Sequence, residues 1–333
     1  MKYVPVVSKT GKPLMPCSNY RANELVCKGK ALRRFKSGLF YIKLTEREDG
    51  EVQPIAVGID PGSKREAFTV KSESHTYLNI LADAVTWVKE AIERKRNARR
   101  ARRQRKTPCR QNRMNRAKGG IPPSTKARWQ LKLRIVNILR KIFPITDYVV
   151  EDISATTKKG CNKWNKNFSP LEVGKKWFYS ELRKLGNVEF KEGWWTFEER
   201  STYGLKKTKS KMLESFDAHN VDSWVLANWK VGCHTKPENT EITMMTPIEF
   251  HRRQLHRFEP SIGGERTRYG GTMSLGFKKG SIVKHKKYGI CYIGGNQEGR
   301  LSLHNLDNGK RLCKRAKTED TQFLAYNSFR KRG

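Results

Sequence analysis

Pro54-Ile55-Ala56-Val57-Gly58-Ile59-Asp60-Pro61-Gly62 (residues 54–62) is the stretch on which the reading of this chain turns. Its apolar run is short and stops at Pro-Gly, which predicts a buried strand ending in a turn. Ala67 to Val70 follows as an apolar hairpin partner. The strand therefore delivers one carboxylate, Asp60, at its end. Taken alone, Asp60 also has an ordinary reading, since aspartates before Pro-Gly serve turn chemistry.

Downstream, Ile80, Leu81, Ala84, Val85, Val88, Ala91 and Ile92 recur at helical spacing. They predict a long helix whose first half packs on a core. From Arg94 to Lys118 there are 13 Lys and Arg in 25 residues and no acid, and the acid-free stretch runs on to Thr146. Leu131, Ile135, Ile138, Leu139 and Ile142 mark a second amphipathic helix. A strand over 147–153 follows, with Val149 and Glu151 on one side by alternation. Glu151 or Asp152 has the alternative of pairing with an Arg of the basic helix. After a polar loop (155–175), a short helix (176–185) and a strand (187–191), residues 217–229 predict a helix. His219 and Asp222, three apart, then share a face. Asp217 is open between an N-cap and a further metal ligand.

Three carboxylates on separate core elements suit divalent cations that activate water at a phosphate and stabilise the leaving oxygen. Mg²⁺ favours few carboxylates plus substrate oxygens. A nearby His can take the proton of the attacking water. Each acid alone has a bland reading. The order strand–carboxylate, basic helix, strand–carboxylate, helix with His-x-x-Asp is the stronger signal.

At the N-terminus, 4–7 and 40–44 are strand-like, with a turn at Lys9 to Lys12, a Pro13-Leu14-Met15-Pro16 stretch and a basic segment, Lys28 to Lys36. Glu46 to Glu51 reads as a linker. Near the C-terminus, 280–285, 289–295, 300–306 and 310–315 predict a small, barrel-like β unit with a turn at Asp307-Asn308-Gly309.

Composition narrows the partner. The 333 residues carry 69 Lys and Arg against 32 Asp and Glu, a net charge of +37. Such an excess repels itself unless a polyanion is present, which disfavours a small-metabolite enzyme and predicts nucleic acid. No run reaches the ~18 apolar residues of a membrane span, and Met1 to Pro16 lacks the apolar region of a signal peptide. The seven Cys form no C-x-x-C pair, which predicts neither a zinc ribbon nor a disulfide framework and fits a reducing cytoplasm.

Asp60-Pro61-Gly62, Val150-Glu151 and His219-Asn220-Val221-Asp222-Ser223 together resemble the three parts of a split RuvC-like nuclease of the RNase H fold. Lys12 to Pro16 is similar to the PLMP motif of the transposon-encoded IscB and IsrB families. Arg94 to Arg116 is similar to their bridge helix, and Ile121-Pro122-Pro123-Ser124 to a stretch that recurs after it. His251-Arg252-Arg253 through Gly264 resembles the start of their region for the target-adjacent motif. Glu151 and His219 are 68 positions apart, with no His between them, which leaves no room for the HNH nuclease of IscB. The resemblance is therefore to IsrB. The Cys-pair zinc element of the related TnpB nucleases is missing as well.

The resemblance implies an α/β fold: a split RNase H-like (RuvC) core, an Arg-rich bridge helix, a small N-terminal PLMP unit and a small C-terminal β domain. The boundaries implied are 1–50, 51–92, 93–118 (bridge helix), 119–175, 176–234 and 235–333. It implies an ωRNA-guided DNA nickase that hydrolyses the displaced non-target strand of a double-stranded target. Catalytic residues would be Asp60, Glu151, His219 and Asp222; the metal ligands, for two Mg²⁺ that Mn²⁺ can replace, would be Asp60, Glu151 and Asp222. Nucleic acid would be held by Arg94, Arg96, Arg99, Arg100, Arg102, Arg103, Arg105, Arg110, Arg113, Arg116, Arg252 and Arg253. A cytoplasmic, monomeric protein within a ribonucleoprotein is expected, with no membrane partner. Ser223 stands where many relatives have Ala. Trp164, Trp177, Trp194 and Trp195 are open between base stacking and core packing. Lys278 and Lys279, like Arg252 and Arg253, are candidates for base or phosphate contact. Two alternatives stand: an RNA-guided DNA-binding protein with structural acids, and a guide-independent junction resolvase.

Overall fold

The computed structural model describes residues 2–104, 120–152, 171–232, 234–249, 258–259, 263–265, 273–326 and 329–332. It is a mixed α/β protein. The N-terminal unit contains β1 (Tyr3–Val7), β2 (Pro13–Ser18), α1 (Asn19–Cys27), β3 (Ala31–Lys36) and β4 (Leu39–Leu44), in a sheet ordered β2-β1-β4-β3. The PLMP stretch is thus a strand paired with β1, and the basic segment supplies the edge strand β3. Val4, Val6, Leu14, Ala22, Ala31 and Ile42 form a core of their own. Ser18 caps α1 by accepting from the Arg21 amide.

The central sheet follows from β5 (Ile55–Asp60), β6 (Arg65–Ser72) and β7 (Thr76–Asp83). Next come α2 (Val88–Gln104), α3 (Pro123–Leu139), β8 (Asp147–Asp152), α4 (Lys175–Arg183), β9 (Asn187–Glu192), α5 (Gly193–Thr202), α6 (Phe216–His219), α7 (Val221–Val231) and β10 (Ile242–Pro247). Two short pairs join β11 (Phe258–Glu259) to β12 (Gly264–Glu265), and β13 (Met273–Ser274) to β14 (Phe277–Lys278). The chain closes with β15 (Ile282–His285), β16 (Gly289–Gln297), β17 (Arg300–Asn305), β18 (Arg311–Ala316), β19 (Thr321–Ala325) and β20 (Phe329–Arg332).

Seven strands, in the order β20-β10-β7-β6-β5-β8-β9, make the central sheet. β5, β6 and β7 run antiparallel to their neighbours in that triplet, while β8 is parallel to β5 and β9 to β8. Alternation assigns the faces. Ile55, Val57 and Ile59 join Phe68, Ile80, Val150 and the α3 residues Leu131, Ile135 and Leu139 in one core. Gly58 and Asp60 face the opposite way, toward α7.

Three expectations are corrected. The helix predicted from Ile80 onward is the strand β7, with α2 starting only at Val88. Tyr77 to Ala82 is buried on both faces, between β6 and β10, so its apolar run is nearly continuous and mimics helical spacing. Ile92, expected in the core, is 36% exposed. The helix over 217–229 is broken at Asn220 into α6 and α7. The C-terminal unit is an open antiparallel sheet, β18-β17-β16-β15-β19, whose edge strands do not pair with each other among the described residues. Beyond residue 235, β10 and β20 extend the central sheet. No helix among the described residues is long and apolar enough to cross a membrane.

Beneath Asp60, Lys132 of α3 and Glu66 of β6 form a fully buried ion pair at 2.9 Å. Burial pushes the Glu66 carboxyl up and the Lys132 ammonium down, against their mutual attraction. Lys132→Met should cost about 3–5 kcal/mol, because Glu66 stays buried without its partner. The sign with pH follows. A lone buried carboxyl has a folded pKa above its unfolded one, so stability is retained at low pH and lost as pH rises past about 4.3. Denaturant midpoints at pH 5 and pH 8 check this; an equal loss at both would refute it.

A candidate metal centre

Asp60 ends β5, and Glu151 lies one residue from the end of β8. The parallel register sets Ile59 beside Val150, so the two carboxylates stand next to each other on one sheet face. Asp222 comes from the first turn of α7, the helix lying across that face. Their oxygens all fall within 4.8 Å of one another. Asp152 points to the opposite face, where it accepts from Lys175 at 3.0 Å and Tyr179 at 2.7 Å. The choice the sequence left open between Glu151 and Asp152 is thus made by the pleat.

A glycine brings helix and strand this close. A Cβ on Gly58 would sit 1.8 Å from the Ser223 carbonyl oxygen and 2.8 Å from the Ala227 amide nitrogen, both backbone atoms of α7. Polar bonds tie the same interface. Thr69 and Ser223 share a hydroxyl hydrogen bond at 2.9 Å, and the Asn220 side-chain amide donates to the Phe68 and Ile80 carbonyls. Ser223 therefore serves the helix–sheet contact next to Asp222.

The electrostatics are those of a cation site. Burial first, then the charges of Asp60 and Asp222, push the Glu151 carboxyl up to about 9, so it holds a proton at neutral pH and bonds to Asp60. Two basic side chains balance the other acids. Arg200 of α5 donates to Asp222 Oδ1, and Lys207, from the loop after α5, donates to Asp222 Oδ2. The Lys207 ammonium is also 3.6 Å from Asp60. Burial opposes the Lys207 charge, yet Asp60 and Asp222 raise its pKa. An ammonium here acts as a stand-in cation, and three hard carboxylate oxygens are the donor set that Mg²⁺ or Mn²⁺ favours. Asp60, Glu151 and Asp222 therefore fit a divalent ion. Arg200 and Lys207 were not distinguishable in the sequence, since nothing separates them from the other basic residues.

Because Lys207 and a divalent cation would compete for the same oxygens, Lys207→Met is expected to raise Mn²⁺ affinity by on the order of tenfold. Calorimetric titration reads this directly. An unchanged or weaker affinity would mean that Lys207 does not oppose metal binding.

His219 is not part of the cluster. It ends α6, and its Nε2 lies 3.3 Å from Arg65 Nη1. Burial and the Arg65 charge hold its pKa below the usual histidine value, which leaves the imidazole neutral at pH 7. Asn220 between α6 and α7 keeps a right-handed helical conformation, its N–H bonded to the Phe216 carbonyl and its own carbonyl to the Trp224 N–H. Asp217 is exposed, and Ser215 takes the N-cap position of α6.

The basic residues divide. Arg94, Arg96, Arg99 and Arg100 are exposed on α2, with Arg94 3.8 Å from Glu249. The helix backbone covers Arg102 and Arg103. Arg105, Arg110, Arg113, Arg116, Arg252 and Arg253 lie outside the described residues, as does Trp164. Trp195 packs edge-to-face on Trp229 at 5.5 Å, and Trp177 packs against the main core. Trp194 is 59% exposed. Lys278 is exposed and lies over Tyr326 at 5.4 Å, while Lys279 is half-buried.

A family model described as "RRXRR protein" matches residues 4–166. The pattern in that name stands in this chain as Arg99-Arg100-Ala101-Arg102-Arg103. A search of curated proteins returns no match. Among solved structures the chain is similar to the yeast mitochondrial Holliday junction resolvase Ydc2, at 14% identity and a TM-score of 0.26, over 54% of this chain and 79% of that one. At that score the likeness bears on neither mechanism nor substrate.

Proposed function

We propose that this protein is a metal-dependent nuclease with an RNase H-like, RuvC-type core, and within that class an RNA-guided nickase that cuts one DNA strand. One observation carries the reading: Asp60, Glu151 and Asp222, far apart in sequence, converge within 4.8 Å at the ends of two parallel strands and on the helix packed over them. The mixed central sheet and the exposed arginines of α2 support it. The match over residues 4–166, which spans Asp60, the Arg-rich segment and Glu151, is in accord with it.

Bound divalent ions would supply charge stabilisation at the phosphate and an acidified water. The rest falls to this chain's own residues. Asp60, Glu151 and Asp222 would hold the ions, and Glu151 would have to be deprotonated to serve as a ligand. Arg200 and Lys207, freed from Asp222, are within side-chain reach of the centre and can neutralise a phosphate there. His219, neutral and beside Arg65, can accept a proton at its ring nitrogen. In the reaction a water oxygen bonds to phosphorus, one P–O ester bond breaks, and the leaving oxygen takes a proton.

The guide reading rests on charge. The acid-free segment that begins within α2, at Arg94, lies between the first two carboxylates in sequence, and a heteroduplex is gripped by its backbone without base readout. Incubating the purified complex and its copurifying RNA with a supercoiled plasmid carrying the guide's target and Mg²⁺ tests this. Nicked circles that depend on the RNA are expected; linear product would overturn the single-site reading.

One observation favours a second reading, a guided DNA-binding protein without cleavage. Arg200 and Lys207 satisfy Asp222 as structural ion pairs would. Guided binding with no nicking under any divalent ion would select it.

A further inference from the structure

Helix α5 runs beside the three carboxylates. Gly193 opens it, and a Cβ there would be 3.3 Å from Glu151 Oε1. Arg200, seven residues on, reaches Asp222. Residues 193, 197 and 200 share one helical face, because they are four and three apart. Phe197 therefore sits between the two points at which α5 touches the centre, yet it is 58% exposed. Trp194, three residues before Phe197 and its neighbour on the helix surface, is 59% exposed.

Isolated exposed apolar side chains are ordinary. Two exposed aromatic side chains three apart on one helix, at the rim of a candidate phosphate-cutting centre, are a different matter. The Trp194 indole N–H is already bonded to Glu192, which leaves the ring face as what it can offer a ligand. The Arg200 guanidinium lies 5.3 Å from the Phe197 ring centre, an arrangement that couples a cation to a stacking surface. Glu192 and Glu198 stand beside Trp194. Their charge disfavours phosphate at that spot, so the ligand that suits the rings is a neutral planar group.

We propose that Trp194 and Phe197 form a stacking platform for unpaired nucleobases of the DNA strand whose phosphate enters the carboxylate centre. This rests on the nuclease reading and deepens it by naming the side chains that would hold the strand. A base paired in a duplex keeps its face against its neighbours. The platform therefore selects a displaced or melted strand, and it does so without sequence preference, because every base has a π-face. Trp194 was open between stacking and packing in the sequence, and Phe197 carried no signal of its own. The helix places both rings in one patch.

The test is photocrosslinking of the full chain, with its copurifying RNA, as the Asp60→Asn variant without added metal. The probe is a single-stranded DNA carrying 5-iododeoxyuridine at successive positions. The expected result is an adduct on the 193–202 peptide, at Trp194 or Phe197, at least about tenfold weaker when the same strand is annealed to its complement. Trp194→Ala with Phe197→Ala should remove that adduct; both rings are exposed, so the fold is retained. Adducts confined to other peptides, or equal yield from duplex, would overturn the platform. Cleavage is scored separately with the unsubstituted protein. Nicking without α5 adducts defeats the platform alone, and α5 adducts without nicking defeat the nuclease alone.

Discussion

Asp60→Asn is expected to lower the rate of strand cutting by at least about a thousandfold, with RNA and DNA binding unchanged. The substitution keeps the shape and removes one charge from a centre that must hold divalent cations. Metal-assisted stabilisation at a phosphate is worth several kcal/mol, and each ~1.4 kcal/mol lost is tenfold in rate. Asp60 ends a strand whose other residues are buried, and among the described residues the carboxylates grouped with it, Glu151 and Asp222, are themselves part of the centre. Quenched time points on supercoiled plasmid, beside gel-shift affinities for the same DNA, separate the two effects. Cutting at more than about a tenth of the original rate would remove Asp60 from the mechanism.

Gly58→Ala is expected to be the most damaging substitution that touches no charge. Its Cβ would fall 1.8 Å from one backbone atom of α7 and 2.8 Å from another, and neither can rotate away. Forced insertions into packed interiors typically cost about 1–3 kcal/mol, occasionally more. Here a whole helix has to retreat, so about 3 kcal/mol or more is expected. The retreat carries Asp222 with it, since Asp222 adjoins the Ser223 that Gly58 touches. Both the denaturation midpoint and Mn²⁺ affinity should therefore fall together. Gly193→Ala is the control: its nearest neighbour is the Glu151 side chain at 3.3 Å, which can shift, so a milder effect is expected. A Gly58→Ala protein with the original midpoint would show that strand and helix are not in such close contact.

The two substitutions also mark how far sequence reasoning reached. Asp60 was legible because it interrupts an apolar run at a turn. Gly58 carried a weaker signal that was open to use, since a glycine inside a strand often marks close backbone approach. Alternation set Glu151 on the side of Val149 but left it open against Asp152, and Glu151 and Asp222 were singled out through their motifs. The strand β7 was misread for a physical reason. A strand covered on both faces loses its period of two, and Tyr77 to Ala82 then offers apolar residues at helical spacing as well. The side-chain amide of Asn220, between His219 and Asp222, bonds to carbonyls of β6 and β7, a tie that no local pattern announced.

What the sequence by itself determined is the inventory: a polyanion-seeking charge of +37, an acid-free basic segment in mid-chain, and three carboxylates at ends of apolar elements. Local pattern suffices for these, because burial and charge act on each segment separately. Only the tertiary structure decided which cations face those carboxylates. Lys207 and Arg200 are two among 69 basic residues, and their position depends on where α5 and its following loop cross the ends of β5 and β8. The same crossing set Phe197 and Trp194 at the rim. Electrostatic and stacking partners are fixed by distances of a few ångströms between segments remote in sequence, and no periodicity along the chain encodes those distances.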